Sequence, residues 1–264
     1  MIKLLLFVLA GWVALAAFAA LTADRQIFLP PRSSYRQGEL PVHLIPVGDG
    51  VRIAALHLPN PEADFTIVFS HGNAEDLGHL APLLAEIRDA GFGVVGWDYR
   101  GYGLSSGGPA TARNVTSDVE AIYRWATGEL GIPPAAIVPY GRSVGSGPAT
   151  HLAAREPVGG LVIESGFTSA FRVVTRVPLL PFDRFPNLRE IRNVRCPVLV
   201  IHGIRDRIIP LSHGKALHAA APGPKQALWV PGAGHNDLHA VAGDTWNKAL
   251  EEFRGLLEDS AVRP

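Results

Sequence analysis

The chain alternates short, continuously apolar segments with amphipathic ones, and this alternation restricts its fold more than any other feature of the sequence. The apolar segments have the β-branched and aromatic content of strands and cover residues 51–57, 65–70, 94–98, 137–140, 161–164, 198–202 and 227–230. Segments with apolar residues at helical spacing cover residues 76–90, 114–130, 144–155, 212–221 and 237–257. This order predicts a mostly parallel central sheet with helices on both faces. Ligands bind such sheets at the carboxyl ends of the strands, so the residues that follow each strand are the candidates for chemistry.

Charge and composition exclude several other classes of protein. The 264 residues contain 24 Lys and Arg against 24 Asp and Glu, so we expect no nucleic-acid partner. A hydrophobic fraction of 47% with 18% charged residues is too apolar for intrinsic disorder. The single cysteine, Cys196, permits neither an intramolecular disulfide nor a cysteine-based zinc site. Because the sequence also lacks HExxH, GxGxxG and phosphate-loop patterns, we expect no metal and no cofactor.

The N-terminal segment is apolar enough to cross a membrane. Residues 4–21 carry no charge, and Lys3 is the only basic side chain before them. As a helix this segment would be roughly 27 Å long, which is close to the thickness of a hydrocarbon core. The length favours an uncleaved single-pass anchor. The small residues within 16–20 leave open a cleavable signal, with a secreted or periplasmic product.

Basic residues on both sides of this segment leave its orientation open. Lys3 precedes it, and Arg25, Arg32 and Arg36 follow it, so the positive-inside rule mildly favours a cytoplasmic body. A short N-terminal anchor with one leading Lys is as often found with the body exported, and the sequence does not settle the side. The chain therefore divides into a membrane anchor or signal segment, a stalk and one catalytic domain, which we predict at residues 1–23, 24–39 and 40–264.

A Gly-x-Ser-x-Gly motif follows the predicted strand at 137–140. Residues 141–145 read Gly-Arg-Ser-Val-Gly and lead into a predicted helix. In this context the serine occupies a tight strand-to-helix turn that exposes its hydroxyl and directs the helix N-terminus towards it. Ser143 is therefore the candidate nucleophile.

A serine nucleophile needs a base, and the base needs a carboxylate that orients it. Asp206 follows the strand at 198–202, and His235 lies in a glycine-flanked loop after the strand at 227–230. An isolated aspartate is usually a turn residue, and an isolated histidine is usually structural. Three candidates in the order Ser, Asp, His at three strand ends predict a catalytic triad of Ser143, Asp206 and His235.

The triad also needs two donors for the oxyanion of an acyl-transfer reaction. The backbone N–H of Val144, directly after the nucleophile, is the first candidate. The second is the backbone N–H of Asn73, in the Ser-His-Gly-Asn-Ala loop after the strand at 65–70. The Asn73 side chain offers an alternative role, which is to hold this loop in place.

The connection at about 167–193 is long for its position between two strands. It carries several valine, leucine and phenylalanine residues around three prolines. We expect a small cap over the nucleophile, and its apolar content favours a hydrophobic acyl group in the substrate. Packing of the cap onto the domain is an equally good explanation of these residues.

The motifs at these strand ends resemble those of α/β-hydrolase-domain serine hydrolases. The resemblance rests on SHGNAED, DYRGYGLSSG, GRSVGSGPA, ESGFTS, HGIRDRIIP and GAGHND, which occur in this order between residues 65 and 237. The stretch FDRFPNLREIRNVRCPVLVIHG is similar to the small membrane-associated members, which include protein depalmitoylases. The resemblance implies an α/β-hydrolase fold with Ser143 as nucleophile, Asp206 as orienting carboxylate and His235 as base. The eukaryotic depalmitoylases attach to membranes through lipidated N-terminal cysteines, whereas this chain has an apolar segment and no cysteine there.

These features predict a membrane-anchored serine hydrolase of the carboxylesterase or thioesterase kind. Its substrate would be a small-molecule or lipid-like acyl ester, or an acylated protein. Two alternatives remain open at this point. A peptidase or amidase would use the same machinery, and a membrane-tethered binding module could use the same fold without catalysis.

Overall fold

A central eight-stranded sheet forms the body of the protein. The computed structural model describes residues 1–175 and 177–261. The strands are β1 (Val42–Gly48), β2 (Val51–Leu58), β3 (Thr66–Ser70), β4 (Gly93–Trp97), β5 (Ile137–Arg142), β6 (Leu161–Glu164), β7 (Val198–Gly203) and β8 (Lys225–Val230). Their order in the sheet is β1-β2-β4-β3-β5-β6-β7-β8. The β1–β2 and β2–β4 pairs are antiparallel, and all the other pairs are parallel. The predicted α/β-hydrolase fold with a mostly parallel sheet is confirmed.

Helices cover both faces of this sheet. The first helix, α1 (Ile2–Ile27), precedes the sheet, and the others are α2 (Leu77–Asp89), α3 (Ala112–Gly128), α4 (Ser146–Ala153), α5 (Ala170–Thr175), α6 (Asn187–Glu190), α7 (Leu211–Ala220), α8 (Leu238–Ala242) and α9 (Asp244–Ala261). The N-terminus of α2 is capped by the Asp76 side chain. Thr111 and Asn114 form a capping box at the start of α3, which satisfies backbone N–H groups that the helix leaves free.

Two hydrophobic clusters lie on opposite faces of the sheet, because successive side chains of a strand point to opposite faces. In β3, Val68 belongs to one cluster, while Ile67 and Phe69 belong to the other. Every residue of β3, β4 and β6 is buried, which explains why these strands are continuously apolar in the sequence. The carboxyl ends of the parallel strands lie together on one side of the sheet, and the candidate site lies there.

The first helix stands apart from this core along most of its length. Within the described residues, α1 is the helix long and apolar enough to cross a membrane, and its apolar window is unburied. Its C-terminal end differs, because Ala23 and the following Phe28 are buried against the body. Tyr35 is buried as well, so the predicted stalk at 24–39 packs on the domain over part of its length. The division into segments stays a prediction.

The connection at 167–193 contains α5 and α6 between β6 and β7. Phe167 and Phe185 are buried in the core, whereas Val174, Val177 and Leu179 are exposed. The connection therefore packs onto the domain on one side and presents apolar residues on the other. Arg176 in the predicted cap and residues 262–264 in the predicted domain lie outside the described residues.

Candidate active site

Ser143 lies on a sharp turn between β5 and α4. Its φ of +54° is a left-handed conformation that is unfavourable for a serine, and a 3-10 turn over Ser143–Gly145 leads into the helix. The two glycines of the motif make the turn possible. A Cβ at Gly141 would overlap the Gly145 carbonyl oxygen, and a Cβ at Gly145 would overlap the Ser70 carbonyl oxygen.

Hydrogen bonds connect Ser143 to His235 and His235 to Asp206. The Ser143 Oγ atom lies 2.9 Å from His235 Nε2, and His235 Nδ1 lies 2.7 Å from Asp206 Oδ2. With the proton on Nδ1, the imidazole donates to the carboxylate and accepts from the serine hydroxyl. The structure therefore brings together the three residues that the sequence predicts, in the geometry that a serine nucleophile requires.

Asp206 is buried and fully hydrogen-bonded. Its Oδ1 atom accepts from the backbone N–H groups of Ile208, at 2.9 Å, and Ile209, at 2.8 Å. Burial raises the pKa of Asp206, but the hydrogen bonds from His235 and Ile209 outweigh burial and hold this pKa below its usual value. Asp206 is therefore an anion at neutral pH.

His202 supports the same loop and was missed by the sequence reasoning. It is fully buried, and its Nε2 atom lies 2.8 Å from the Ile209 carbonyl oxygen and 3.5 Å from Asp206 Oδ2. Burial lowers the pKa of His202, so the neutral ring donates its Nε2 proton to Ile209. The available signal was its position as the last apolar-strand residue before the loop that carries Asp206.

The two predicted oxyanion donors lie on the segments beside the nucleophile. Val144 follows Ser143 directly, and a Cβ at Gly72 would lie 3.7 Å from the Ser143 Cβ atom, which places the Asn73 loop against the serine. Within the described residues, the Asn73 backbone N–H has no hydrogen-bond acceptor.

The Asn73 side chain holds this loop in place. Its Oδ1 atom accepts from the Leu29 N–H at 2.8 Å, the Ala74 N–H at 3.0 Å and the Tyr102 hydroxyl at 2.9 Å. The Asn73 side chain therefore has the structural role that the sequence analysis left open, and this role does not involve the backbone N–H. It also connects the loop to the segment that follows α1.

A chain of buried and partly buried charges lies next to Ser143. Arg142 Nη1 is 3.4 Å from Glu75 Oε2, and Arg142 Nε is 3.4 Å from Glu164 Oε1. Glu75 Oε1 accepts the Gly72 N–H at 2.5 Å, so this chain links the nucleophile turn to the Asn73 loop. Burial raises the pKa of Glu75, and the Arg142 guanidinium opposes that rise without cancelling it. The sequence analysis did not identify these three residues, although Arg142 occupies the first x position of the Gly-x-Ser-x-Gly motif.

A groove of about 1130 Å³ lies between the cap and the start of α7. Val173, Leu180 and Phe182 of the cap line one side, and Ser212 and His213 line the other. The Thr168 hydroxyl lies 2.9 Å from His213 Nδ1 and ties the two sides together. Among the described residues, no group of three or more His, Cys, Asp or Glu side chains could hold a metal ion. The groove lining also includes the charged residues Arg172, Asp183, Arg189 and Arg192, and none of Ser143, Asp206 and His235 belongs to it.

The mostly parallel sheet and the nucleophile turn define a serine hydrolase of the α/β-hydrolase superfamily. A sequence model of the family described as "Serine aminopeptidase, S33" matches residues 61–180. The Caenorhabditis elegans α/β-hydrolase domain-containing protein aho-3 is 39% identical over 215 residues, which are 78% of this chain and 61% of that protein. The human α/β-hydrolase domain-containing protein 17B is 37% identical over 217 residues, which are 81% of this chain and 73% of that protein. The chain belongs to the family of α/β-hydrolase domain-containing proteins.

Solved structures agree on the fold. A Pyrococcus furiosus esterase superposes with a TM-score of 0.71 at 19% identity, covering 85% of this chain and 98% of the esterase. A Paleococcus ferrophilus monoacylglycerol lipase superposes with a TM-score of 0.62 at 20% identity, covering 78% of this chain and 98% of the lipase. At these identities the likeness concerns the fold alone.

Proposed function

We propose that this protein is a membrane-anchored hydrolase that transfers an acyl group from an ester or thioester to water. The observation that carries the proposal is the continuous hydrogen-bonded chain from Ser143 Oγ through His235 to Asp206. This chain activates a hydroxyl that is otherwise a weak nucleophile. A non-catalytic binding module would have no use for it.

The first half of the reaction forms an acyl-enzyme. His235 Nε2 takes the proton from Ser143 as Oγ attacks the acyl carbonyl carbon, and Asp206 stabilises the imidazolium that results. The Asn73 and Val144 amides bind the negative oxygen of the tetrahedral intermediate. The intermediate then collapses, the bond to the leaving oxygen or sulfur breaks, and His235 gives its proton to that atom.

The second half returns the enzyme to its starting state. Water attacks the acyl-serine carbonyl while His235 takes one of its protons. The same amides bind the second oxyanion, and collapse releases a carboxylic acid while the proton returns to Ser143 Oγ. No cofactor takes part in either half.

The substrate class follows from the groove and the resemblance. Val173, Leu180 and Phe182 give the groove between the cap and α7 an apolar wall, which suits a hydrophobic acyl chain. The resemblance to small membrane-associated hydrolases that include depalmitoylases points to the same kind of acyl group. The apolar helix α1 supports a single-pass anchor, and a signal sequence is the alternative that its composition leaves.

Peptidase or amidase activity is the second candidate function. The specific observation in its favour is the match of residues 61–180 to a family described by aminopeptidase activity. An amide leaves as an amine, which needs the same proton from His235, so the triad does not separate the two activities. Only the relative rates on the two bond types separate them.

A substrate panel tests the proposal. The full chain in detergent micelles is assayed on p-nitrophenyl esters and acyl thioesters of graded chain length and on the matching p-nitroanilides, with Ser143→Ala as the control. We expect hydrolysis of esters and thioesters that rises with chain length, and no hydrolysis above background by the variant. Faster hydrolysis of the anilides would favour the amidase, and activity that survives in Ser143→Ala would overturn the mechanism.

A further inference from the structure

The cap presents a strip of apolar side chains to its surroundings. Val174 is 83% exposed, Val177 is 53% exposed and Leu179 is 49% exposed. None of the three lines the groove, whose wall is made by their neighbours Val173 and Leu180. The cap therefore has one face towards the groove and an outer face on which these three apolar side chains are exposed. Three exposed aliphatic residues this close together indicate an interaction surface.

Direct contacts fix this outer face beside α1. The Trp12 indole Nε1 donates to the Leu179 carbonyl oxygen at 2.9 Å, near the middle of the helix. Arg184 makes an ion pair with Asp24 at 3.1 Å and donates to the Ala20 carbonyl oxygen at 3.2 Å. The segment from Leu179 to Arg184 therefore runs along the C-terminal half of α1, with Leu179 at the level of Trp12.

The exposed apolar residues of α1 show how far along this helix the hydrocarbon region of a bilayer must extend. Val13, Leu15, Phe18 and Leu21 lie beyond Trp12 towards the body, and all four are exposed. Leu21 is nine residues from Trp12, about 13 Å along a helix axis, or nearly half of a hydrocarbon core about 30 Å thick. A bilayer that covers α1 as far as Leu21 therefore also covers the level of Leu179.

Polar groups begin where this apolar surface ends. Asp24 and Arg184 pair at the C-terminal end of the helix, and Arg25 follows directly. Charged groups of this kind mark the boundary between hydrocarbon and water. Residues 177–182 of the cap, in contrast, contain no charge, and Arg176 directly precedes them in the sequence. The helix and the cap thus change from apolar to polar at the same height.

We propose that the tip of the cap, carrying Val174, Val177 and Leu179, inserts into the hydrocarbon region of a lipid bilayer beside α1. This inference rests on the membrane anchoring in the proposed function. It assigns the outer face of the cap to lipid and places the groove on the inner face at the bilayer surface. Acyl chains that are dissolved in the bilayer then reach the groove without crossing water.

Depth-dependent fluorescence quenching tests this placement. The full-length Cys196→Ser protein is reconstituted in phosphatidylcholine vesicles, with single cysteines introduced by Leu179→Cys, Val8→Cys or Ala135→Cys and labelled with an environment-sensitive dye. Val8 lies in the apolar part of α1. Ala135 is exposed just before β5 and therefore at the opposite edge of the sheet from the site. Lipids brominated on their acyl chains serve as the quencher.

We expect quenching at positions 179 and 8 and none at position 135. Quenching at 8 without quenching at 179 would overturn the insertion of the cap and leave the anchor in place. Absence of quenching at both positions would overturn the anchor and the inserted cap together. Hydrolysis of a short soluble ester by the same samples reports separately on the catalytic proposal.

A functional arm uses charge at the same surface. The double variant Val174→Asp, Leu179→Asp should lose at least about tenfold in rate on a long-chain thioester dissolved in vesicles, because burying carboxylates in hydrocarbon is unfavourable. Its rate on a short soluble ester should stay within about twofold, since neither residue lines the groove. Ala135→Asp is the matched control and should change neither rate. Equal rates of the double variant and the wild type on the vesicle substrate would contradict the inference.

Discussion

At the scale of single residues, both carboxylate oxygens of Asp206 accept hydrogen bonds. One accepts from His235, and the other accepts from the Ile208 and Ile209 amides. An amide in place of the carboxylate has only one acceptor oxygen and would direct an NH₂ group at a donor. The histidine would then lose either its orientation or its required tautomer.

Asp206→Asn should therefore lower kcat by about 10³- to 10⁴-fold on a p-nitrophenyl ester, as loss of the acid does in other serine triads. KM should change little, because Asp206 does not contact the acyl chain. Asp237→Asn is the control, since Asp237 accepts from the Gly234 N–H in the same loop but does not contact His235. A fall of less than tenfold in Asp206→Asn would contradict the assigned role.

Asn73 combines a backbone role with a side-chain role. Asn73→Ala keeps the proposed oxyanion N–H but removes the acceptor of three hydrogen bonds. We expect kcat to fall about tenfold, which is less than the loss of an oxyanion donor causes, with KM within about twofold. Tyr102→Phe removes one of the three bonds and should have the smaller effect. Equal kcat values in Asn73→Ala and wild type would show that the side chain does not position the loop.

Some of these residues could be predicted from the sequence and others could not. Ser143, Asp206 and His235 each follow an apolar strand in a turn of recognisable composition. The local sequence pattern is therefore enough to identify them as candidate catalytic residues. The partners of Arg142 are Glu75, in the loop between β3 and α2, and Glu164, the last residue of β6. Their pairing depends on tertiary contacts and burial, which no local pattern specifies.

At the scale of elements, the turn between β5 and α4 depends on how closely two backbone segments approach each other. Gly145 packs directly on the carbonyl of Ser70 at the end of β3. A side chain there would have to push apart two neighbouring strands of the sheet. The close approach of backbones therefore requires glycine.

Gly145→Ala should lower the free energy of unfolding by about 3 kcal/mol or more and reduce activity, because a rigid backbone atom occupies the space of the new Cβ. Gly128→Ala is the matched control. A Cβ at Gly128 meets no atom within 4 Å, and alanine is favoured over glycine in a helix by about 1 kcal/mol. Urea unfolding of both variants measures the difference. A Gly145→Ala protein as stable as the control would contradict this account of the turn.

The strands and helices predicted from the sequence match the structure where a single sequence pattern, such as a continuous apolar run, is strong. The inner strands are apolar throughout because both faces are covered, and they lie within a few residues of their predicted bounds. The edge strand β1 was not predicted, since it is mostly exposed and contains Pro46. The predicted helix at 237–257 is divided into α8 and α9 at Gly243, which has a φ of +50°. Neither an edge pairing nor a break in a periodic segment has a strong local signal.

At the scale of the whole molecule, Asp98 joins three parts of the chain. It is fully buried at the end of β4 and accepts from the Tyr35 hydroxyl at 2.5 Å and from the Leu77 N–H at 2.9 Å. Burial raises the pKa of Asp98 to about 7, and the hydrogen bonds from Tyr35 and Leu77 only partly oppose that rise. The folded protein therefore holds the Asp98 proton more tightly than the unfolded chain does.

This pKa predicts how stability depends on pH. The contribution of protonated Asp98 is fully present below its unfolded pKa of about 3.9 and is lost as the pH rises through about 7. The free energy of unfolding of the wild type, measured relative to Asp98→Asn, should thus fall by a few kcal/mol (order of magnitude) between pH 4.5 and pH 8. Denaturant titration of both full-length proteins in detergent at each pH provides the measurement. A difference that stays constant across this range would contradict the protonated, buried carboxyl.

Covalent labelling distinguishes a nucleophilic Ser143 from a structural one. The full-length protein is treated with a fluorophosphonate, digested and analysed by peptide mass spectrometry, beside the Ser143→Ala variant. We expect a single phosphonyl adduct on Ser143 and no labelling of the variant, whose fold is checked by circular dichroism. Equal labelling of the folded variant, or an adduct on another serine of the wild type, would contradict this expectation.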